Sequence, residues 1–327
     1  MTTEIIWVEW GRRTPKYLIR NLELHSELWP DCHQFLITDN NSLEIGEIKN
    51  LEIVNSRNIR ISPLTAEFDR ISEVRPRKFG QQMFWIGTTR RFFQLYDFMM
   101  QVNLRSGLHI ESDNVILEMP YFEQRLQMST FGLGFPMQSD ELGCGSIFMV
   151  RELKSLEDLL NFILDRWADS NQNDMLLLGE YANSIKGVEV FPSLPSSEFC
   201  VDPGAYGKFF LGSDARNFRL PFSKRGVTFD EERSLLNQVG NFHYKILNEK
   251  GNSRLIVENK AFLTNIHIHS KIIPTNKAKL MRQLKYGFVS RKSTLWKMGK
   301  FDFTVLLERT ATKFVRLLHK SADVRLR

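Results

Sequence analysis

The sequence predicts an α/β fold: a mixed, mostly parallel sheet flanked by helices, with a basic helical region at the C-terminal end. Three observations carry that expectation. The first 55 residues alternate strand-like and helix-like patterns at the spacing of a βαβ unit, which sets strands side by side and parallel. A long aromatic- and Met-rich helical stretch then leads straight into another strand pattern at 107–117. The chain has 327 residues, 42% hydrophobic and 25% charged, which suits a globular main domain (1–275) with an appendage (276–327).

The elements follow in order. "EIIWVEW" (4–10) reads as a buried strand, and "TPKYLIRNLELHSELWP" (14–30) as a helix with Thr14 as N-cap, Pro15 at its first position and Pro30 beyond its end. "HQFLITD" (33–39) and "LEIVN" (51–55) are the next two strands. "RKFGQQMFWIGTTRRFFQLYDFMMQVN" (77–103) repeats apolar residues at three- and four-residue steps, as a largely buried helix does. "GLHIESDNVIL" (107–117) is a strand, and so is "LGCGSIFMV" (142–150). "SLEDLLNFILDRWADS" (155–170) is an amphipathic helix with Ser155 and Asp158 as a capping-box variant, and "NDMLLLGEYANS" (173–184) is a short helix. Residues 192–217 form a loop region punctuated by Pro and Gly, and "LIVENKAFLTNIHIHSK" (255–271) supplies two strand-like pieces.

The opening residues lack the basic and apolar regions of a signal peptide, and no apolar run reaches the roughly 18 residues of a membrane-spanning helix. The expected location is therefore cytoplasmic. Cys32, Cys144 and Cys200 are odd in number and without metal-ligand spacing, so buried thiols are expected. Net charge is +6, yet residues 277–327 hold 14 Lys/Arg against three acidic residues, so the basic character belongs to one segment.

The chemistry concentrates in two stretches. In 107–117, His109, Glu111 and Asp113 stand two residues apart, and alternate strand residues share a face. Two carboxylates converging where a strand leaves an open sheet suit a divalent cation such as Mg²⁺ or Mn²⁺, while the spacing alone also fits a solvated acidic strand end; His109, deeper in the strand, is assigned to the pocket wall. In "NIHIHSK", Asn265, His267 and His269 share a face opposite Ile266 and Ile268, and Lys271 follows. Imidazole can ligate such an ion and a lysine can hold phosphate.

Taken together, "IIWVEW…FLITD", "FWIGTTRRFFQLYDFM", "HIESDN", "NDMLLL" and "NIHIHSK" form an order of motifs that resembles GT-A-type glycosyltransferases, above all bacterial enzymes that build capsular or cell-surface polysaccharides from nucleotide-sugars. The resemblance spans about residues 4–275, and the acidic motif carries Glu111 where the family usually has Asp. It implies metal ligation by Asp113 with Glu111 and Asn114 in support, a late ligand in His267 or His269, and a diphosphate contact in Lys271. It further implies that Asp39 binds base or ribose, that Glu9, Trp10 and Gly11 frame the same pocket, and that residues 202–217 form an acceptor-side or donor-closing loop. Trp10 also fits a plain core position, Asp39 a turn cap, and the loop glycines tight turns. Arg91, with Arg90, Thr88 and Thr89 beside it, either faces the nucleotide or belongs to a solvated helix surface. Asp174 is the first choice for the acid/base carboxylate and Glu180 the second; Asp174 fits a helix N-cap equally well.

In the basic region, 302–320 has an apolar face (Leu307, Ala311, Phe314, Val315, Leu318) with Arg309, Lys313, Arg316 and Lys320 elsewhere. That pattern suits the inner face of an anionic membrane and a lipid-linked acceptor, and it also suits packing on an acidic protein surface. The rival to a metal-assisted transferase is a non-enzymatic protein that holds membrane or nucleic acid through this region; no nucleic-acid motif accompanies the charge.

Overall fold

The structure is a computed structural model that describes residues 3–11, 14–40, 45–74, 82–168, 172–185, 187–207, 244–249, 252–268 and 273–286. Its strands are β1 (Glu4–Glu9), β2 (His33–Thr38), β3 (Leu51–Asn55), β4 (Gly107–Ile110), β5 (Asn114–Ile116), β6 (Leu133–Pro136), β7 (Ile147–Val150), β8 (Val188–Phe191), β9 (Phe199–Cys200), β10 (Tyr244–Glu249), β11 (Asn252–Val257), β12 (Ala261–Leu263) and β13 (Asn265–His267). Its helices are α1 (Lys16–Leu28), α2 (Pro63–Val74), α3 (Gln82–Gln101), α4 (Met119–Met128), α5 (Leu153–Trp167), α6 (Asp174–Ser184) and α7 (Lys277–Tyr286).

A seven-stranded sheet runs in the order β3-β2-β1-β4-β7-β6-β8. Pairings β1·β2, β1·β4, β2·β3 and β6·β8 are parallel, and β7 alone is antiparallel to both its neighbours, so the predicted mixed, mostly parallel α/β sheet is what forms. Strand order reverses at β1, where β2 and β3 lie on one side and β4 on the other. The helices cover both faces. Phe68 of α2, Phe92, Phe93 and Phe98 of α3, Leu159 and Ile163 of α5, and Leu177 of α6 form one core with Ile6, Phe135 and Phe148 of the sheet. Leu18 and Leu22 of α1 and Phe122 of α4 pack with Ile5, Trp7 and Leu108 on the other face. Each such side chain contributes about 1.5–3 kcal/mol by leaving water. A smaller sheet, β10-β11-β12-β9, shares a third core with Val115, Ile266, Ile273, and Leu280 and Leu284 of α7.

Local chemistry shifted several expected boundaries. The strand at 107–117 breaks: β4 ends at Ile110, Asn114 N donates to Glu111 O at 2.9 Å across a turn, and β5 leaves the main sheet to pair antiparallel with β13. Pro15 is the N-cap of α1 with an extended ψ of 135°, so the helix starts at Lys16; the Thr14 hydroxyl instead accepts from Asn40 Nδ2 at 2.9 Å. α5 starts two residues early, at Leu153, with Glu152 as a cap that makes no side-chain bond, in place of the Ser155/Asp158 box. α6 is capped by Asn173, whose Oδ1 accepts from Leu176 N at 3.0 Å, which leaves Asp174 available for another role. All three cysteines are buried free thiols, and burial pushes Cys144 and Cys200 up to about 12.

Candidate active site

The carboxyl ends of β1 and β4 meet where strand order reverses, the place where open α/β sheets form a crevice. The turn after β4 lies there and is tightly held. Glu111 N donates to Ser146 O at 2.9 Å, and Asn21 Nδ2 donates to Ser112 O at 3.1 Å and Asn114 O at 2.8 Å. Ile268 N donates to Asp113 O at 2.7 Å, and the β5·β13 register sets His267 opposite Asn114. This geometry brings together residues 154 and 156 positions apart: His267 Nε2 lies 3.0 Å from Asp113 Oδ2 and 3.5 Å from Glu111 Oε2.

Glu111, Asp113 and His267 each offer a ligand atom, all within 4.8 Å of one another. An octahedral ion with ligands at 2.0–2.1 Å needs adjacent donors about 3 Å apart. The two separations from His267 Nε2, 3.0 and 3.5 Å, sit at or just above that spacing. Two hard carboxylate oxygens and one imidazole nitrogen suit Mn²⁺ or Mg²⁺. The donor set therefore fits a divalent cation.

Arg91 on α3 completes the cluster. The residue is 7% exposed; Nη1 bonds Glu111 Oε1, and Nη2 donates to Asp174 Oδ2 at 3.1 Å. Burial opposes its charge, yet the carboxylates of Glu111 and Asp174 raise its pKa above the ordinary value. The same burial raises Asp174, against the pull of Arg91 and with Glu111 adding to the rise. Among the described residues, Glu111, Asp113 and Asp174 gather near the Arg91 guanidinium, and a concentration of carboxylates of this kind suits a divalent cation. His109 forms the wall behind this cluster: Nδ1 bonds Ile6 O at 3.0 Å, and burial, with Arg91 nearby, lowers it to about 3, so it is neutral.

The other predicted positions fall out as follows. Asp39 Oδ1 accepts from Gly11 N at 2.9 Å, which ties the end of β2 to the end of β1, and Gly11 at φ 132° holds a conformation that favours glycine. Glu9 and Trp10 are half-buried at the same edge, and the Arg90 guanidinium lies 5.0 Å from the Trp10 ring centre while bonding both Asp69 oxygens at 2.7 and 2.8 Å. Arg90 is therefore a surface brace, unlike Arg91. Thr89 bonds back to Trp85 O at 2.8 Å. Glu180 does not join the cluster: it pairs with Arg166 Nε at 2.6 Å and Gln172 Nε2 at 3.2 Å. Six residues separate it from Asp174, and at 3.6 residues per turn that spacing points the two carboxylates away from one another. His269, Lys271, residues 208–217 and the segment 302–320 lie outside the described residues. Among the described residues, no helix is long and apolar enough to cross a membrane.

Two supporting residues were not singled out from sequence for the parts they play. Asn265 donates from Nδ2 to Asn114 Oδ1 at 3.0 Å and to Asp202 O at 3.1 Å, so it fastens β13 rather than facing an ion. Asp202, fully buried, gathers backbone N–H groups around the cluster. The "DPG" triplet is the signal that could have marked it, since Asp before such a turn bonds the backbone just ahead.

No family model and no curated protein matches the chain. Solved structures do match. The chain is similar to the PaToxG glycosyltransferase, at 13% identity over 56% of this chain and 68% of that one, with a TM-score of 0.39. It is similar to the galactosyltransferase LgtC in complex with donor and acceptor sugar analogs, at 12% identity over 63% and 78%, with a TM-score of 0.42. It is also similar to mouse xyloside xylosyltransferase 1, at 10% identity over 59% and 86%, with a TM-score of 0.40. The three matches are to glycosyltransferases. They are loose likenesses, and the roles assigned below rest on this chain's own residues.

Proposed function

We propose that the chain is a metal-dependent glycosyltransferase of GT-A architecture, moving a sugar from a nucleotide-sugar donor to a hydroxyl of a glycan or glycolipid acceptor. The observation that supports this most is the Glu111, Asp113 and His267 cluster at the carboxyl ends of β1 and β4. A divalent cation there, Mn²⁺ or Mg²⁺, supplies charge neutralisation for the departing diphosphate. Glu111 presents one oxygen to the cation site and the other to Arg91, which keeps its carboxylate from turning away. Asp174, raised by burial, suits uptake of the proton from the acceptor hydroxyl as the new glycosidic bond forms and the bond to diphosphate breaks. Trp10, Gly11 and Asp39 with Glu9 frame the nucleoside; on sequence grounds Lys271 is assigned to the diphosphate, and His269 is the alternative to His267 as late metal ligand. The basic segment 302–320 is proposed to hold the enzyme at a cytoplasmic, anionic membrane face.

A panel of nucleotide-sugars incubated with the full chain tests the reading. Nucleoside diphosphate release that requires Mn²⁺ or Mg²⁺, stops with EDTA, and is lost in both Asp113→Ala and His267→Ala is the expected result. Release at undiminished rate in both variants would remove the site assignment, and release from no donor under any cation would remove the function.

A further inference from the structure

We propose that Asp202 is a positioning residue that aims His267 at the cation site, so that its removal weakens metal binding specifically through His267. This rests on the metal-site reading above. Asp202 is 0% exposed, and its two carboxylate oxygens take four backbone donors. Oδ1 accepts from Ala205 N at 2.6 Å and Tyr206 N at 2.8 Å; Oδ2 accepts from Gly207 N at 3.0 Å and from His267 N at 2.9 Å. A carboxylate has lone pairs for four such donors, and no neutral side chain of that size does.

The last of those bonds links the loop to the ligand. Through it, the turn 202–207 is clamped onto β13 at the residue whose Nε2 faces Asp113 and Glu111. The turn in turn presses on the imidazole. Gly204 sits at φ 86°, and a Cβ there would stand 3.0 Å from His267 Nδ1; a Cβ at Gly207 would run into His267 O. Both glycines therefore mark backbone lying directly against the histidine. The clamp is anchored on its other side as well: Asp202 N donates to Asn265 Oδ1 at 2.9 Å, and Asn265 reaches Asn114, whose Nδ2 donates to Ser146 O at 3.1 Å. The acidic turn and the histidine strand thus share one chain of buried hydrogen bonds, with Asp202 at its end. Asp202 itself is not a metal ligand, because all four of its bonds point to backbone.

The test is Mn²⁺ titration of the full chain, followed by electron paramagnetic resonance of free Mn²⁺, for wild type, Asp202→Asn, His267→Ala and the double variant. Outer residues that orient metal ligands are worth about 10–100-fold in affinity. Asp202→Asn is expected to weaken Mn²⁺ binding within that range, and to cause no further loss when His267 is already Ala. A structural role alone would lower affinity equally in both backgrounds, and that outcome overturns the proposal, as does unchanged affinity in Asp202→Asn. Gly204→Ala is measured beside it, in case Asp202→Asn fails to fold; it should weaken Mn²⁺ binding through the same histidine and likewise add nothing to His267→Ala. If the wild-type chain binds no Mn²⁺, the metal-site reading itself is wrong and the proposal goes with it.

Discussion

Arg91→Met tests the electrostatics of the site most searchingly. The side chain is 9% exposed and its guanidinium bonds both Glu111 and Asp174. Methionine keeps most of the apolar stem but removes the guanidinium that bonds these two carboxylates, leaving Asp174 buried and Glu111 half-buried beside Asp113. Breaking a buried pair by deleting one partner costs about 3–5 kcal/mol. For a large domain, where each kcal/mol moves Tm by roughly 2 °C, that is a fall of roughly 6–10 °C. The assay is thermal unfolding in EDTA and in saturating Mn²⁺. In EDTA the full fall is expected. In Mn²⁺ the variant should recover part of it, because the cation faces the same carboxylates and no longer meets an opposing guanidinium. A unit positive charge 4 Å from a divalent cation opposes it by ~2 kcal/mol even in water, so Mn²⁺ should raise Tm more in the variant than in wild type. An equal Mn²⁺ response in the two proteins, or no fall in EDTA, would refute this account of the charge balance.

His25 gives a pH prediction: burial lowers it to about 4 from 6.5, its Nδ1 bonds Asn21 O, and its Nε2 accepts from Ile116 N, so a proton on Nε2 breaks that bond. Its stabilising contribution is present above pH 6.5 and lost as pH falls toward 4, on the order of 3 kcal/mol; urea unfolding that stays flat across this window would contradict it. Gly179→Ala should destabilise by about 1–3 kcal/mol in chemical denaturation, since a Cβ there runs into the Glu141 carbonyl. Glu180→Gln should leave Mn²⁺ affinity and turnover unchanged and shift stability by less than about 1 kcal/mol, because its bridge to Arg166 is solvent-exposed.

The sequence revealed the frame of the fold better than its joints. β2 and β3 lie where the alternation placed them, and β1 and α1 within a residue or two, because in each the apolar period agrees with the element that packs. The break at Glu111 was hidden, since the residues on either side both have strand character and only the pairing of β5 with β13 pulls them apart. α2, α4, β6, β8 and β10 were not foreseen from the sequence pattern.

At the site, Glu111, Asp113 and His267 were readable because titratable groups interrupt apolar strands at two-residue steps. Arg91 was visible as a candidate, but its true partners lie 20 and 83 residues away, a pairing that no local pattern encodes. Asp174 and Glu180 were both candidates in sequence, Asp174 the first; their separation around α6 sends one to Arg91 and the other to Arg166. Asp202 shows the same limit, because its importance lies in four backbone groups that only the folded turn collects.

The central claim is that Glu111, Asp113 and His267 together hold a divalent cation. Crystals of the chain soaked in Mn²⁺, with anomalous diffraction recorded at the manganese edge, test it directly. The account predicts one strong peak about 2.0–2.3 Å from a carboxylate oxygen of each acid and from His267 Nε2. A peak elsewhere, or none at saturating Mn²⁺, would contradict it.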